Sequence, residues 1–366
     1  MRGKPLRHGY TTGACAAAAA KGAALILREQ KLVEESEIVL PGGDTARFHL
    51  QGQALTTDSS SCYVVKDGGD DPDITNGVKI HVAIRVEFFT HQRILLQGGT
   101  GVGRITKPGL AVPVGDWAIN PVPRKMIMEA VKEVFALRCM PATFTITVSI
   151  PNGEELAKKT LNSRLGIIGG LSILGTTGIV KPISAKAWTD TIDASIDVAL
   201  ACGSDTVVLS TGRSSEMAAQ EYFGNEERGT GNEETFKEEA FVMMGDHVGY
   251  SLRACREKGV CRIIVAGQFA KLLKIACGHE QTHVSSSELD LRMLAEWSDL
   301  SDPSSPVSGY CRKANTAREV LERSGKDCRL SGLVCDRVKR FAERLAPGIV
   351  IKVLLAGYGG EVLYFG

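Results

Sequence analysis

Ten cysteines are scattered through the chain without a single C-x-x-C pair, no apolar run approaches membrane-spanning length, and neither sign of charge dominates, the formal net charge being +1. Dispersed cysteines in a chain of 366 residues point to reduced, mostly buried thiols in the cytosol rather than to a disulfide framework. Without an apolar stretch of about 20 residues there is no transmembrane helix to place. Near-neutrality leaves no global field to recruit nucleic acid or an acidic membrane surface, so any anion must be bound by a local cluster. Residues 1–27 begin as a secretory signal does, with basic residues before an alanine run. Lys21 interrupts that run, however, and alanine is only weakly apolar. A cytoplasmic location is expected, with no membrane and no nucleic-acid partner.

Nucleotide and metal signatures lack their decisive residues. Gly98-x4-Gly103 opens like a P-loop, yet Arg104-Ile105 stands where Lys-Ser/Thr is required. Gly99, Gly101 and Gly103 are spaced G-x-G-x-G, not the G-x-G-x-x-G of dinucleotide-binding folds. Asp67, Asp70, Asp71 and Asp73 crowd one loop, but no glutamate closes a twelve-residue calcium loop; Asx turns or a polar ligand contact account for them more simply. His279-Glu280-Gln281-Thr282-His283 does match H-E-x-x-H. A metalloprotease needs both histidines on one continuous helix, whereas Gly278 reads as a helix C-cap and Ser285-Ser286-Ser287 as loop. No metal site is expected.

What is present is organised around residues 98–124, GGTGVGRITKPGLAVPVGDWAINPVPR. Glycine lets backbone amides approach a ligand, proline fixes the approach, and Arg104, Lys107 and Arg124 supply positive charge. Upstream, a threonine of Thr11-Thr12 is placed to cap a strongly helical stretch, 14–28, whose first-turn amides can face an anion. Cys15 lies in that turn, where close packing explains it better than a lowered thiol pKa. Strand-like runs follow at 46–50, 62–66, 78–89 and 93–97, then a helix over 124–137 that opens after Pro121 and Pro123. From about residue 161, strands at 206–210, 261–267 and 349–356 alternate with glycine turns and helices. The helices are expected from residue 214 and over 236–258, 269–277, 289–297, 315–323 and 337–345. The acidic segment 224–239 reads as a solvated loop running into a helix. The pattern predicts an N-terminal two-layer α+β domain over 1–160 and a Rossmann-like open α/β domain over 161–366. Ligands of such sheets sit beyond the C-terminal strand ends, where Thr211-Gly212-Arg213 and Gly267-Gln268 would lie.

Five blocks carry a more specific signal: GYTTGACAAAAAKGAA from Gly9, VVKDGGDDPDIT from Val64, GGTGVGRITKPGL from Gly98, AINPVPRKMI from Ala118 and GGLSILGTTGIVKPIS from Gly169. Together, in this order and across most of the chain, they resemble the CbiD family. Thr100 stands where the family's GGEGVG-like version carries an acidic residue, so no carboxylate is available there.

The resemblance implies methyl transfer from S-adenosylmethionine to C1 of cobalt-precorrin-5B, in the early-cobalt-insertion route to cobalamin. Cobalt then belongs to the corrinoid substrate. The protein's task becomes holding donor and ring in contact and excluding water. On this reading Arg104, Lys107 and Arg124, beside Gly99, Gly101 and Gly103, hold the ring's carboxylates. The donor is placed near Thr211, Gly212 and Arg213, with Gly175, Thr176, Thr177 and Gly178, and His283 or His279 takes any ring proton. Two rival classes stay open: a non-catalytic tetrapyrrole carrier or chaperone with the same basic cradle, and a phosphotransferase built on the glycine loop. Self-association is also left open.

Overall fold

Small side chains decide how the N-terminal half is layered. Helix Thr12–Glu29 starts at Thr11, whose hydroxyl oxygen accepts from the Ala14 amide. Ala14 to Ala20 are all buried, since alanine and Cys15 let the helix lie close on strands Ser59–Val65 and Lys79–Phe88. Three side chains seal that contact by donating to helix carbonyls: Ser36 to Ala18 at 2.8 Å, Ser60 to Ala23 at 2.6 Å and Cys62 to Ala19 at 3.2 Å. Burial pushes the Cys15 thiol up to about 12, as packing rather than reactivity requires. The structure, a computed structural model, describes residues 6–88, 93–135, 142–224 and 235–366. The ends of the expected strand 78–89 and helix 124–137, and residues 225–234 of the acidic segment, lie outside the described residues.

The first sheet runs in the order Gln51–Leu55, Ser59–Val65, Lys79–Phe88, Ala142–Ser149, Arg93–Gly98, antiparallel except for the last pair. Strict alternation along Ala142–Ser149 turns Ala142, Phe144, Ile146 and Val148 inward. They pack, with Ile80, Val82 and Ile84, against helices Thr12–Glu29 and Pro121–Phe135. Residues 161–184 also belong here. Ile167–Ile168 pairs with Arg104–Ile105, Gly170–Leu171 with Gly101–Val102, and Ile179–Val180 with Gly9–Tyr10. The chain therefore divides into compact units Met1–Ser184 and Ala185–Gly366, rather than at 160/161. The linker-like composition after Leu161 hid those pairings.

In the second unit four strands run parallel in the order Phe241–Met243, Thr206–Ser210, Arg262–Gln268, Val350–Ala356, and Val362–Phe365 closes the edge antiparallel. Helix Arg213–Gly224 covers one face through Ala218, Ala219 and Phe223. Helices Val248–Glu257, Phe269–Ala276 and Cys328–Leu345 cover the other. The long helix expected over 236–258 is not formed. A 3-10 turn, Glu238–Ala240, leads into strand Phe241–Met243, and an α-helix restarts at Val248. Pairing beside Val208–Ser210 buries Phe241 and Val242, and Gly245 at φ +57 turns the chain out of a helical path. Among the described residues no helix is long and apolar enough to cross a membrane.

Candidate active site

The glycines of residues 98–124 are filled by the chain itself. A Cβ on Gly101, which sits at φ +74, would lie 2.0 Å from the Ile150 carbonyl oxygen. One on Gly153 would lie 2.2 Å from the Gly101 oxygen, and one on Gly170 2.3 Å from the Gly101 carbonyl. Three glycines thus mark one crossing of backbones. The Gly99 amide donates to Val148 and the Gly103 amide to Leu171. These two amides are committed to internal hydrogen bonds, which corrects the expectation of amides held open for an anion. The helix N-terminus is closed in the same way: Gly13 N donates to Leu174 O and Thr11 N to Gly178 O, each at 3.0 Å.

The cations of the stretch are differently placed. The Arg104 guanidinium is exposed, lies 4.0 Å from the Trp117 ring centre and donates to Gly115 O at 2.7 Å. Half-buried Lys107 donates to Arg164 O at 3.3 Å. Arg124, half-buried in the first turn of helix Pro121–Phe135, has no side-chain hydrogen-bond partner among the described residues. The four loop aspartates all serve the fold. Asp67 pairs with Arg7, Asp70 accepts from Arg7 N, Asp71 from Ile183 N, and Asp73 from the buried Lys66 ammonium at 2.7 Å.

The residues assigned to the donor fall in different units. Gly175, at φ +127, is closed in by Thr11, Gly178 by Leu40, and Thr177 bonds locally to Ile179. Thr176, between them, belongs with them to the first unit. Thr211, Gly212 and Arg213 begin the second unit's glycine turn, at the end of strand Thr206–Ser210. The chain leaves that strand for the neighbour on one side and returns to Arg262–Gln268 on the other, which makes this crevice the sheet's switch point. A Cβ on Gly212 would meet nothing within 4 Å, so open space adjoins the turn. Ser210 Oγ is buried there without a hydrogen-bond partner.

Beside this turn lies a polar cluster that the helix expected over 236–258 concealed. Met244 N and Gly245 N both donate to Ser210 O, at 2.9 and 3.2 Å, and so fix residues 244–247 to the strand end. Asp246 accepts from the Lys271 ammonium and from Thr282 Oγ1 at 2.6 Å. Burial alone would raise the Asp246 carboxyl. The hydrogen bonds from Lys271 and Thr282 outweigh it and hold the group below the usual carboxylate range. Lys274, buried, donates to Thr282 O at 3.1 Å and Ser287 O at 2.9 Å; burial, then the Lys271 charge, depresses it. His247 Nδ1 faces Gln281 Nε2 at 2.8 Å, and Trp188 donates to Met244 O. Reading 241–244 as a buried strand was the signal that would have brought Asp246 and His247 to the site.

His279 and His283 share the loop packed on this cluster but not a helix. Helix Phe269–Ala276 ends before them, with Gly278 at φ +97 donating to Ile275 O. His283 is exposed, and its Nδ1 accepts from the Ser285 amide at 3.2 Å. His279 is half-buried.

The family model described as CbiD matches residues 1–182, and that described as CbiD, C-terminal domain, matches residues 281–365. The chain is 62% identical over 365 residues to the cobalt-precorrin-5B C(1)-methyltransferase of Citrifermentans bemidjiense, covering 100% of this chain and 99% of that one. It is 63% identical over 370 residues to the protein of the same name from Geobacter metallireducens, covering 100% of both. A 1.9 Å crystal structure of the cobalamin biosynthesis protein cbiD from Archaeoglobus fulgidus matches with a TM-score of 0.39 and 28% identity, over 74% of this chain and 79% of that one. On sequence identity sustained from end to end, this chain belongs to the CbiD family.

Proposed function

We propose that this chain methylates C1 of cobalt-precorrin-5B, with S-adenosylmethionine as the methyl donor. The observation that carries the reading is identity above 60%, over the whole length, to proteins bearing that activity in their names. Cobalt enters as part of the substrate. The enzyme works in the cytoplasm on a small molecule, without a nucleic-acid partner.

A two-layer α+β unit followed by a Rossmann-like unit fits this division of labour. Arg104, Lys107 and Arg124 bind the carboxylates of the corrinoid, the guanidinium groups through paired N–H donors. Gly99, Gly101 and Gly103 hold that stretch in shape. The donor occupies the switch-point crevice at Thr211, Gly212 and Arg213, where the open space at Gly212 offers room. Gly175, Thr176, Thr177 and Gly178 belong to the first unit, where they pack at the start of helix Thr12–Glu29, and are not assigned to the donor. Bound donor supplies an electrophilic methyl carbon; a π-electron pair of the ring forms the new C–C bond while the C–S pair returns to sulfur. If the ring then gives up a proton, His279 is better suited than His283 to accept it. The Ser285 amide occupies Nδ1 of His283, which leaves the proton on Nε2.

Incubation with methyl-labelled S-adenosylmethionine and cobalt-precorrin-5B should place one label on C1 of the ring. Corrinoid binding without label transfer would make the protein a carrier and end the enzymatic reading. Gly212→Asp introduces a charged side chain where only open space exists. It is expected to weaken S-adenosylmethionine by at least about tenfold in calorimetry, with the melting temperature held within about 2 °C. Unchanged donor affinity would move the donor away from this turn.

A further inference from the structure

Trp188 and His247 form the one aromatic pair that adjoins the switch-point turn among the described residues. Trp188, in the first turn of helix Ala185–Ala201, remains 46% exposed. Its indole N–H donates to Met244 O at 3.2 Å, and its ring lies against Gly245, where a Cβ would meet Trp188 at 2.9 Å. The imidazole of His247 stacks on it at 28°, ring centres 6.3 Å apart. Met244 N in turn donates to Ser210 O, immediately before Thr211 and Gly212. A large aromatic surface is thereby held beside the crevice by three backbone contacts and left half open to solvent.

The orientation of the His247 ring is set by its neighbour. An amide NH2 is a donor only, so the Gln281 Nε2 group at 2.8 Å obliges His247 Nδ1 to accept. The ring edge is thereby pinned to the loop that carries Gln281. Gln281 is itself held by its chain neighbours: Glu280 O accepts from Gly249 N and Thr282 N donates to Asp246 O. An imidazole stacked on an indole presents an aromatic, electron-rich surface. Such a surface attracts a compact organic cation through the ring quadrupole, and a charged imidazolium would repel it.

We propose that Trp188 and His247 are the seat of the donor's sulfonium, with Gln281 as the positioning residue that holds the His247 ring against the indole. This rests on the S-adenosylmethionine reading above and adds the part of the site that distinguishes donor from spent product. The donor carries a positive sulfur; the product, S-adenosylhomocysteine, is a neutral thioether otherwise alike. Cation attraction therefore favours the donor alone, and departure of the methyl group weakens the product's hold.

Calorimetry on the full chain with each of these two molecules tests the assignment. Trp188→Leu should weaken S-adenosylmethionine about fivefold or more and S-adenosylhomocysteine less than twofold, whereas Trp188→Phe retains most of the preference. His247→Lys should lower donor affinity selectively, and His247→Gln should not. Gln281→Ala, which frees the His247 ring, should weaken S-adenosylmethionine more than S-adenosylhomocysteine. Equal losses for both ligands in Trp188→Leu, or an unchanged donor affinity, would overturn the seat while leaving the methyltransferase reading intact. Failure of the unaltered protein to bind S-adenosylmethionine at all would instead overturn the donor reading, and the seat with it.

Discussion

Lys66→Met is expected to destabilise the protein by about 3–5 kcal/mol, read as a fall in urea midpoint, with little change in secondary structure where the variant remains folded. Lys66 is 2% exposed, and its ammonium meets Asp73 at 2.7 Å. Asp73 also accepts from Thr75 N at 2.8 Å and Thr75 Oγ1 at 2.5 Å. Removing the ammonium leaves a largely buried carboxylate with only neutral partners, and the cost of that uncompensated charge is what the variant reports. The acid limb checks the cause. Burial pushes Asp73 up, but the bonds from Lys66 and Thr75 outweigh it, so its folded value lies below the ordinary carboxylate value. A depressed folded value contributes stability above the ordinary value, lost as pH falls through the folded one. Without Lys66 the folded value rises, and acid unfolding should begin at higher pH than in the unaltered protein. Lys66→Met combined with Asp73→Leu should recover most of the loss, since the pair can be replaced by apolar packing. A loss below about 1 kcal/mol in the single variant would mean that Lys66 reaches water.

Local encoding separates what was readable in this sequence from what was not. Strands 206–210, 261–267 and 349–356 were legible because short β-branched runs between glycine turns encode themselves locally. Strand Phe241–Met243 was not: helix-favouring Lys237, Glu238, Glu239 and Ala240 precede it, and only the neighbouring Val208–Ser210 makes it a strand. Losing that strand hid Asp246 and His247, and with them the cluster around Lys271 and Gln281. The blocks that signalled the family fared better. Tyr10 N donates to Asp67 O, Gly9–Tyr10 pairs with Ile179–Val180, Gly101 with Gly170, and Asn120 N donates to Ile173 O. Stretches far apart in sequence are therefore one hydrogen-bonded assembly, which accounts for their occurring together. What the sequence left undecided was whether a glycine makes room for a ligand or for another part of the backbone.

Gly101→Ala decides that question for residues 98–124. The substitution should cost at least about 3 kcal/mol, because an alanine at φ +74 is strained and its methyl would overlap the Ile150 carbonyl oxygen, 2.0 Å away. The oxygen belongs to backbone and cannot rotate aside, and the Gly153 backbone lies 3.0 Å from the added methyl. Arg104→Ala with Lys107→Ala should behave in the opposite way. Stability should change by about 1 kcal/mol or less, since Arg104 is exposed and loses chiefly its contact with the Trp117 ring. Corrinoid affinity should fall at least about tenfold through lost charge-assisted hydrogen bonds, with S-adenosylmethionine affinity unchanged. Thermal melts and titration with each ligand, on both variants, separate the two roles. If Gly101→Ala kept full stability and lost corrinoid binding, the glycines would be the ligand's cradle after all. If the double variant lost the methyl donor instead, the donor would belong at this stretch. With both outcomes as expected, the glycines shape the stretch and the cations bind, so the recognition residues there can be altered without unfolding the chain that presents them.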